Sequence, residues 1–321
     1  MLALDAMQVP RISDHQLSEA VEFCMLVEQG RLERQAIALA KSIRTFAGRY
    51  SDSAITAVSP RPNRRPSEQT RSALERLNVN YLELNLESPV PEYGPSFKVF
   101  ALAEVVQRSG CPILIQIDSD TLFCSEPEFH LADSVAAARP IDLKGMCSTG
   151  VDDPMDTIWQ QLAHVAGVSL ADFPTVEATV SKLKVRASYN GGLLVVRRQS
   201  GIYQLTAHLF SKIVEADIRP YRGTSMMIPS GAGWVTRSEF WGTAQVAFSL
   251  AVAKMRQRVS ILSPDHNIPL HLNVIAPTRP RHLHYHGVFS LPEVACSISV
   301  SQVIQLCSVD FQRWLSDQLP I

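Results

Sequence analysis

Apolar positions along the first half of the chain fall into short blocks with two distinct rhythms. Val21–Val27 (VEFCMLV) is apolar almost throughout, which predicts a buried strand. From Leu32 to Phe46 the apolar residues Leu32, Ile37, Leu39, Ala40, Ile43 and Phe46 recur at a helical spacing. Ala54–Val58 predicts a second strand, and the segment Pro60–Pro66, rich in Pro and Arg, predicts an irregular loop. Ser67 can cap a helix running to Leu77, with Glu68 in its first turn. Val79–Leu84 reads as a third strand and Ser96–Gln107 as a helix. Then Ile113-Leu-Ile-Gln-Ile117 runs directly into Asp118-Ser-Asp120. A strand apolar on both faces belongs inside a parallel sheet. Strand and helix in alternation predict an α/β fold, a Rossmann-like and mostly parallel sheet with helices on both faces.

The second half is less periodic. Asp142–Cys147 predicts a strand and Ile158–Val165 a helix, while the segment to Lys184 carries no clear rhythm. Asn190-Gly-Gly-Leu-Leu-Val-Val-Arg197 reads as a glycine turn leading into a buried strand. Helices are expected at Gln199–Ala216 and Glu239–Met255, with a strand at Val259–Leu262. A last helix, Val300–Leu315, places Val300, Val303, Ile304, Cys307, Phe311 and Trp314 on one stripe suited to docking on the body. No internal repeat or long linker divides the 321 residues, so one domain over 1–321 is expected.

Composition narrows the partners. Hydrophobic residues make up 46% of the chain and charged residues 19%, enough for a sizeable core. A formal net charge of −1 argues against a nucleic-acid partner. Six cysteines (Cys24, Cys111, Cys124, Cys147, Cys296, Cys307) are scattered without a C-x-x-C pair, which predicts reduced thiols. No transmembrane segment and no apolar leader is present, so a cytoplasmic location is expected.

The chemistry concentrates at the end of the aspartate strand, where ligands of open α/β sheets collect. Two carboxylates so close raise each other's pKa, and a divalent cation reverses that penalty. Oxygen ligands of this kind suit Mn²⁺ or Mg²⁺ shared with substrate phosphates. Haloacid-dehalogenase-like phosphatases also use D-x-D-x-T, but here the threonine is Thr121, one residue early. Glycine-rich dinucleotide, P-loop and nucleophile-elbow signatures are absent.

With these residues in view, Ile117-Asp-Ser-Asp-Thr-Leu122 resembles the D-x-D motif of GT-A-fold glycosyltransferases, and the glycogenin-like family 8 enzymes in particular. Lys98 is similarly placed to a donor-reaching lysine of that family. Tyr189-Asn190-Gly191-Gly192, Ala244-Gln245 and Ser263-Pro-Asp-His-Asn267-Ile-Pro269 resemble later family segments, and His284-Tyr285-His286-Gly287 fits its H-[FY]-x-G motif. The chain departs from the pattern at Glu28-Gln-Gly30, at Ala244 where the family has an acid, and at Val288-Phe-Ser, where Lys-Pro-Trp often follows.

The resemblance implies a Mn²⁺- or Mg²⁺-dependent transferase using a nucleotide-sugar donor, UDP-linked, with retention at the anomeric carbon. The acceptor, whether glycan, lipid or small molecule, stays open. It implies a nucleotide-binding half at about 20–130, an acceptor-side half at about 131–290 and a C-terminal helix at about 299–318. Asp120 and His284 would bind the metal, with Asp118 sharing the metal or the ribose. Strand alternation puts His282 and His286 on the face of His284, with His286 as its first substitute. Lys98, Asn190 and Gln245 would act in catalysis. Glu28, Gln29, Lys98, Asp118, Ser119, Asn190, Gly191 and Gly192 would bind the donor.

For each residue a plainer role competes: Lys98 as a solvated helix lysine, Asn190 as a turn asparagine, Gln245 facing solvent. Gly223–Gly242, with Gly231-Ala-Gly233-Trp234 and Glu239-Phe-Trp241, suggests a lid or a pair of core tryptophans. Asp152, Asp153 and Asp156 could line the acceptor side, and Arg61, Arg64 and Arg65 could grip an anionic acceptor; a solvated loop explains the aspartates as well, and a surface loop explains the arginines better. Two other functions fit the same residues: a non-catalytic nucleotide-sugar-binding protein on this fold, and a sugar-phosphate nucleotidyltransferase.

Overall fold

The computed structural model describes residues 21–224, 227–230, 233–236, 238–289 and 298–318. In chain order the first half contains β1 (Val21–Leu26), α1 (Arg31–Phe46), β2 (Ala54–Ser59), α2 (Glu68–Arg76), β3 (Asn80–Glu83), α3 (Pro95–Arg108), β4 (Ile113–Ile117) and β5 (Thr121–Phe123). The second half contains β6 (Ala136–Pro140), α4 (Asp156–Ala166), β7 (Thr175–Glu177), β8 (Lys184–Arg186), β9 (Tyr189–Arg197) and α5 (Ile202–Glu215). It continues with β10 (Met227–Ser230), β11 (Gly233–Thr236), α6 (Thr243–Lys254), β12 (Val259–Ile261), β13 (Ile268–Pro269) and β14 (His282–His284). Two helices, Ile298–Gln305 and Val309–Gln318, follow.

The central sheet has seven strands in the order β12-β6-β9-β4-β1-β2-β3. Every neighbouring pair is parallel except those made by β9, which runs antiparallel to both β4 and β6. All five residues of β4 are buried, as its unbroken apolar run requires. Leu114 points into the core shared with α3, α4, α5 and α6, while Ile113, Ile115 and Ile117 point into the core under α1 and α2. Helices therefore cover both faces, and each fully buried aliphatic side chain contributes about 1.5–3 kcal/mol.

The first half follows the expected order closely. Ser67 does cap α2, its hydroxyl accepting the N–H of Thr70. The Pro/Arg loop contains one 3-10 turn, Pro62–Arg64, where irregular structure was expected.

In the second half the expected strand at Asp142–Cys147 is a turn, and the strand lies earlier, at Ala136–Pro140. A run of three alanines carries little strand propensity; here it is held between β9 and β12, buried at all three positions, so packing overrides the local preference. Asn190-Gly-Gly192 is not a turn: all three residues lie within β9. The C-terminal helix is two helices, separated around Cys307 and Ser308, where the Ser308 hydroxyl accepts the N–H of Phe311. Its apolar stripe does dock: Val303, Cys307, Phe311 and Leu315 are buried with Ala38, Leu122 and Leu283. Phe46 of α1 meets Phe311 at 5.2 Å and Trp314 at 5.4 Å, both edge-on. No helix among the described residues is long and apolar enough to cross a membrane.

Candidate active site

Three pieces of backbone converge at the carboxyl end of β4. Because β9 is antiparallel, its first residues meet the last residues of β4, and Asp118 N–H donates to the carbonyl of Gly192 at 3.0 Å. The chain then turns at Asp118-Ser-Asp120, with the Thr121 hydroxyl donating to the Asp118 carbonyl at 2.7 Å. The Ser119 hydroxyl donates to the Leu26 carbonyl, tying this turn to the end of β1. The turn leads into β5, which pairs antiparallel with β14, setting Thr121 opposite His284. Tyr285 N–H donates to the Asp120 carbonyl at 3.1 Å, so residues more than 160 positions apart share one ladder.

The side chains follow from that backbone. His284 Nε2 lies 3.5 Å from Asp120 Oδ1 and 3.9 Å from Asp118 Oδ2. Its Nδ1 is bonded to Asn267 Oδ1 at 3.0 Å, which fixes the ring and leaves Nε2 turned to the carboxylates. Lys98 Nζ donates to Asp118 Oδ1 at 2.5 Å and to the Gly191 carbonyl at 3.0 Å, so it is an ion-paired lysine, not a solvated one. Gln116 Nε2 donates to the same carbonyl at 2.7 Å. Asn190 Nδ2 donates to Asp142 Oδ2 at 2.6 Å, and its Oδ1 accepts the N–H of Gly192.

The two glycines have a steric reason to be glycines. A Cβ on Gly192 would stand 2.5 Å from the His284 ring and 2.8 Å from Asn267 Oδ1. On Gly191 it would be in ordinary contact with Lys98, Gln116 and Gln245. Gln245, in the first turn of α6, therefore faces this cleft.

Electrostatics bind the cluster together. Burial would raise the Asp120 carboxyl, but His284 and Lys98 hold it below the usual carboxylate range. Burial would lower the His284 imidazole, yet Asp120, Asp118 and Asp142 raise it above its ordinary value. His286 and His282 are pushed well down by burial and by the charge of His284, and His271 falls to about 4 for the same reasons. Asp120, His284 and His286 each offer a ligand atom, and all three atoms lie within 4.8 Å of one another.

The two neighbouring histidines are placed differently. His282 turns into the core against Phe123, its Nδ1 accepting the N–H of Asn267. His286 lies beyond the end of β14, with φ +50°, and still reaches the His284 ring.

A family model described as a Rhodobacterales glycosyltransferase domain matches residues 23–226, more than half of the chain and all of β4, its aspartates and β9. The chain belongs to this family. Among solved structures, the glycosyltransferase is similar to an active-site mutant of LgtC, at 13% identity and a TM-score of 0.53, over 89% of this chain and 94% of that one. Galactosyltransferase LgtC with donor and acceptor sugar analogs aligns at 13% identity and a TM-score of 0.49, covering 93% and 100% of the two chains. GlyE of Streptococcus pneumoniae aligns at 11% identity and a TM-score of 0.47, over 93% and 64%. The search of curated proteins found no match. The architecture is that of GT-A glycosyltransferases, as the D-x-D resemblance implied.

Other expected site residues of the glycosyltransferase are committed elsewhere. The buried Glu28 carboxylate accepts from Arg61, with Arg64 at 3.6 Å, while Gln29 is exposed. Arg61 also lies over the Phe97 ring at 4.4 Å, and Arg65 pairs with Glu83. Asp153 pairs with Lys144 and Asp156 with Arg186, both at 2.9 Å, which makes them supports of the loop before α4. Trp241 packs edge-on against Tyr93 in the core. The remainder of the expected lid is a short antiparallel hairpin, β10–β11; Gly231, Ala232 and the Trp234 side chain lie outside the described residues.

Neither periodicity nor motif marks Asp142, Gln116 or His271 as site residues. Asp142 hid inside a misread strand. Asn267 lies in a turn that resembles a family segment, and only its bond to His284 gives its amide a role.

Proposed function

We propose that the cleft at the end of β4 is the donor site of a metal-dependent glycosyltransferase that takes a nucleotide sugar, UDP-linked, and transfers its sugar with retention. The observation that carries this reading is the pairing of Asp120 with an oriented, buried His284 beside Lys98. A carboxylate oxygen and an imidazole nitrogen make a donor set that fits Mn²⁺ better than Mg²⁺. Asp120 and His284 would hold the cation, with Asp118 at its edge sharing the metal or the ribose. When bound, such an ion acts as a Lewis acid toward the departing diphosphate. His284 must be neutral to bind a cation, so binding would displace any proton that the neighbouring carboxylates help its imidazole to hold.

Lys98 supplies a second positive charge that the departing diphosphate can draw from Asp118. Asn190 and Gln245 line the approach to the transferred sugar, and the absence of a side chain on Gly191 lets a ligand come close to the backbone of β9. Gln29, after the end of β1, and Ser119, in the adjoining turn, would contact the base and ribose; Glu28 would act through Arg61. The acceptor, a glycan, lipid or small molecule, would approach from the half of the chain after residue 130.

Release of nucleoside diphosphate from nucleotide sugars, measured with Mn²⁺ and no acceptor, tests the reading. Asp120→Ala should lose turnover while keeping its fold. Full turnover in that variant, or in excess chelator, would overturn it. A protein that binds the donor but never releases diphosphate would instead be a non-catalytic binder.

A further inference from the structure

Asp118 and His286 both flank the His284 imidazole, each in a different way. Asp118 has one carboxylate oxygen committed to Lys98 at 2.5 Å, and its other oxygen lies 3.9 Å from His284 Nε2. His286 is outside strand geometry, in the left-handed region at φ +50°, a backbone state that costs a residue with a Cβ about 1–2 kcal/mol. That conformation brings its ring to 3.8 Å from the His284 ring, centroid to centroid. On its other side the His271 ring stacks at 3.7 Å with an interplanar angle of 20°. His286 Nδ1 is buried and has no hydrogen-bond partner among the described residues. A buried polar nitrogen left unpaired is costly, and strained backbone persists where the surroundings hold it for a purpose.

We propose that His286 is a further protein ligand of the donor-site cation, alongside Asp120 and His284, with Asp118 held at its edge by Lys98. This assignment rests on the donor-site reading above. The three ligand atoms already lie within 4.8 Å of one another, a spacing one ion could bridge after small side-chain movements. Asn267 orients His284 from behind, and the stack on His271 holds the His286 ring in place. One carboxylate with two imidazoles is a nitrogen-rich set, which shifts preference from Mg²⁺ toward Mn²⁺ and later first-row ions.

Mn²⁺ alone, added to the full chain, provides the test. Pulsed EPR of bound Mn²⁺ should count two directly coordinated histidine nitrogens in the wild type, and one each in His286→Leu and His284→Asn. His286→Leu should weaken Mn²⁺ binding roughly tenfold or more. The wild-type spectrum decides the question even if a variant fails to fold. A single wild-type nitrogen that disappears in His284→Asn would overturn the role of His286 and leave the donor-site reading intact. Mn²⁺ bound without any histidine nitrogen would overturn both.

Discussion

Gly192 lies directly against the imidazole of His284, so close that a single added carbon would stand 2.5 Å from the ring. Backbone from β9 and a side chain from β14 thus share one small volume. Glycine is required there because of contact and not because of backbone conformation, since Gly192 has no positive φ. Gly192→Ala should displace His284 or Asn267, at a cost of about 1–3 kcal/mol, and abolish turnover. Gly191→Ala meets only ordinary contacts and should cost less than about 1 kcal/mol. Urea denaturation of both variants checks the contrast; equal costs would refute it.

Asn267 holds His284 by its Nδ1, and so decides which ring nitrogen faces Asp120. Asn267→Ala should lower Mn²⁺ affinity by roughly 10–100-fold with far-UV circular dichroism unchanged. Calorimetric titration measures this, and an unaltered affinity would show that the ring is oriented by other contacts.

Lys98 is the cation between Asp118 and the Gly191 carbonyl. Lys98→Met should reduce kcat by roughly 10²–10³-fold while donor affinity changes much less, as expected for a charge used mainly in the transition state. A change confined to KM would assign Lys98 to ground-state binding alone.

Away from the cleft, Asp153 offers a test by pH. Burial would raise its carboxyl, but the N–H groups of Met155 and Thr149 and the Lys144 ammonium hold it far below the usual range. A carboxylate depressed in the folded state contributes stability that is complete above its unfolded pKa and lost as pH falls. Wild-type stability should therefore drop between about pH 5 and pH 3, and Asp153→Asn should show a shallower slope over that interval. Identical slopes would mean that the contacts of Asp153 do not survive as linkage.

Periodicity made the first half of the chain legible because each element there is decided by its own residues. β4 is buried on both faces since it has no polar face to expose, and its two aspartates must therefore emerge at the sheet's end. The alternation through α3 places Lys98 on the helix just before them. Beyond β4 that local logic fails. Ala136–Pro140 is a strand only because β9 and β12 flank it, and Asn190-Gly-Gly192 is extended only because the chain on either side of it is paired, Tyr189 with β6, Leu193 with β4 and Leu194 with both.

The sequence by itself determined a sheet of buried strands, the carboxylates at the carboxyl end of one of them and the residue types able to hold a cation. Tertiary structure alone decided that β9 runs antiparallel, which brings its glycines to Asp118, and that β5 pairs with β14, which brings His284 to Asp120. It also decided that His286, with a ring nitrogen that has no hydrogen-bond partner among the described residues, would lie beside them while Asp118 turned to Lys98. The physical reason is range. Side-chain period is set within a few residues, whereas a site built from positions 98, 118–120, 190–192, 267 and 284–286 exists only once distant strands have paired.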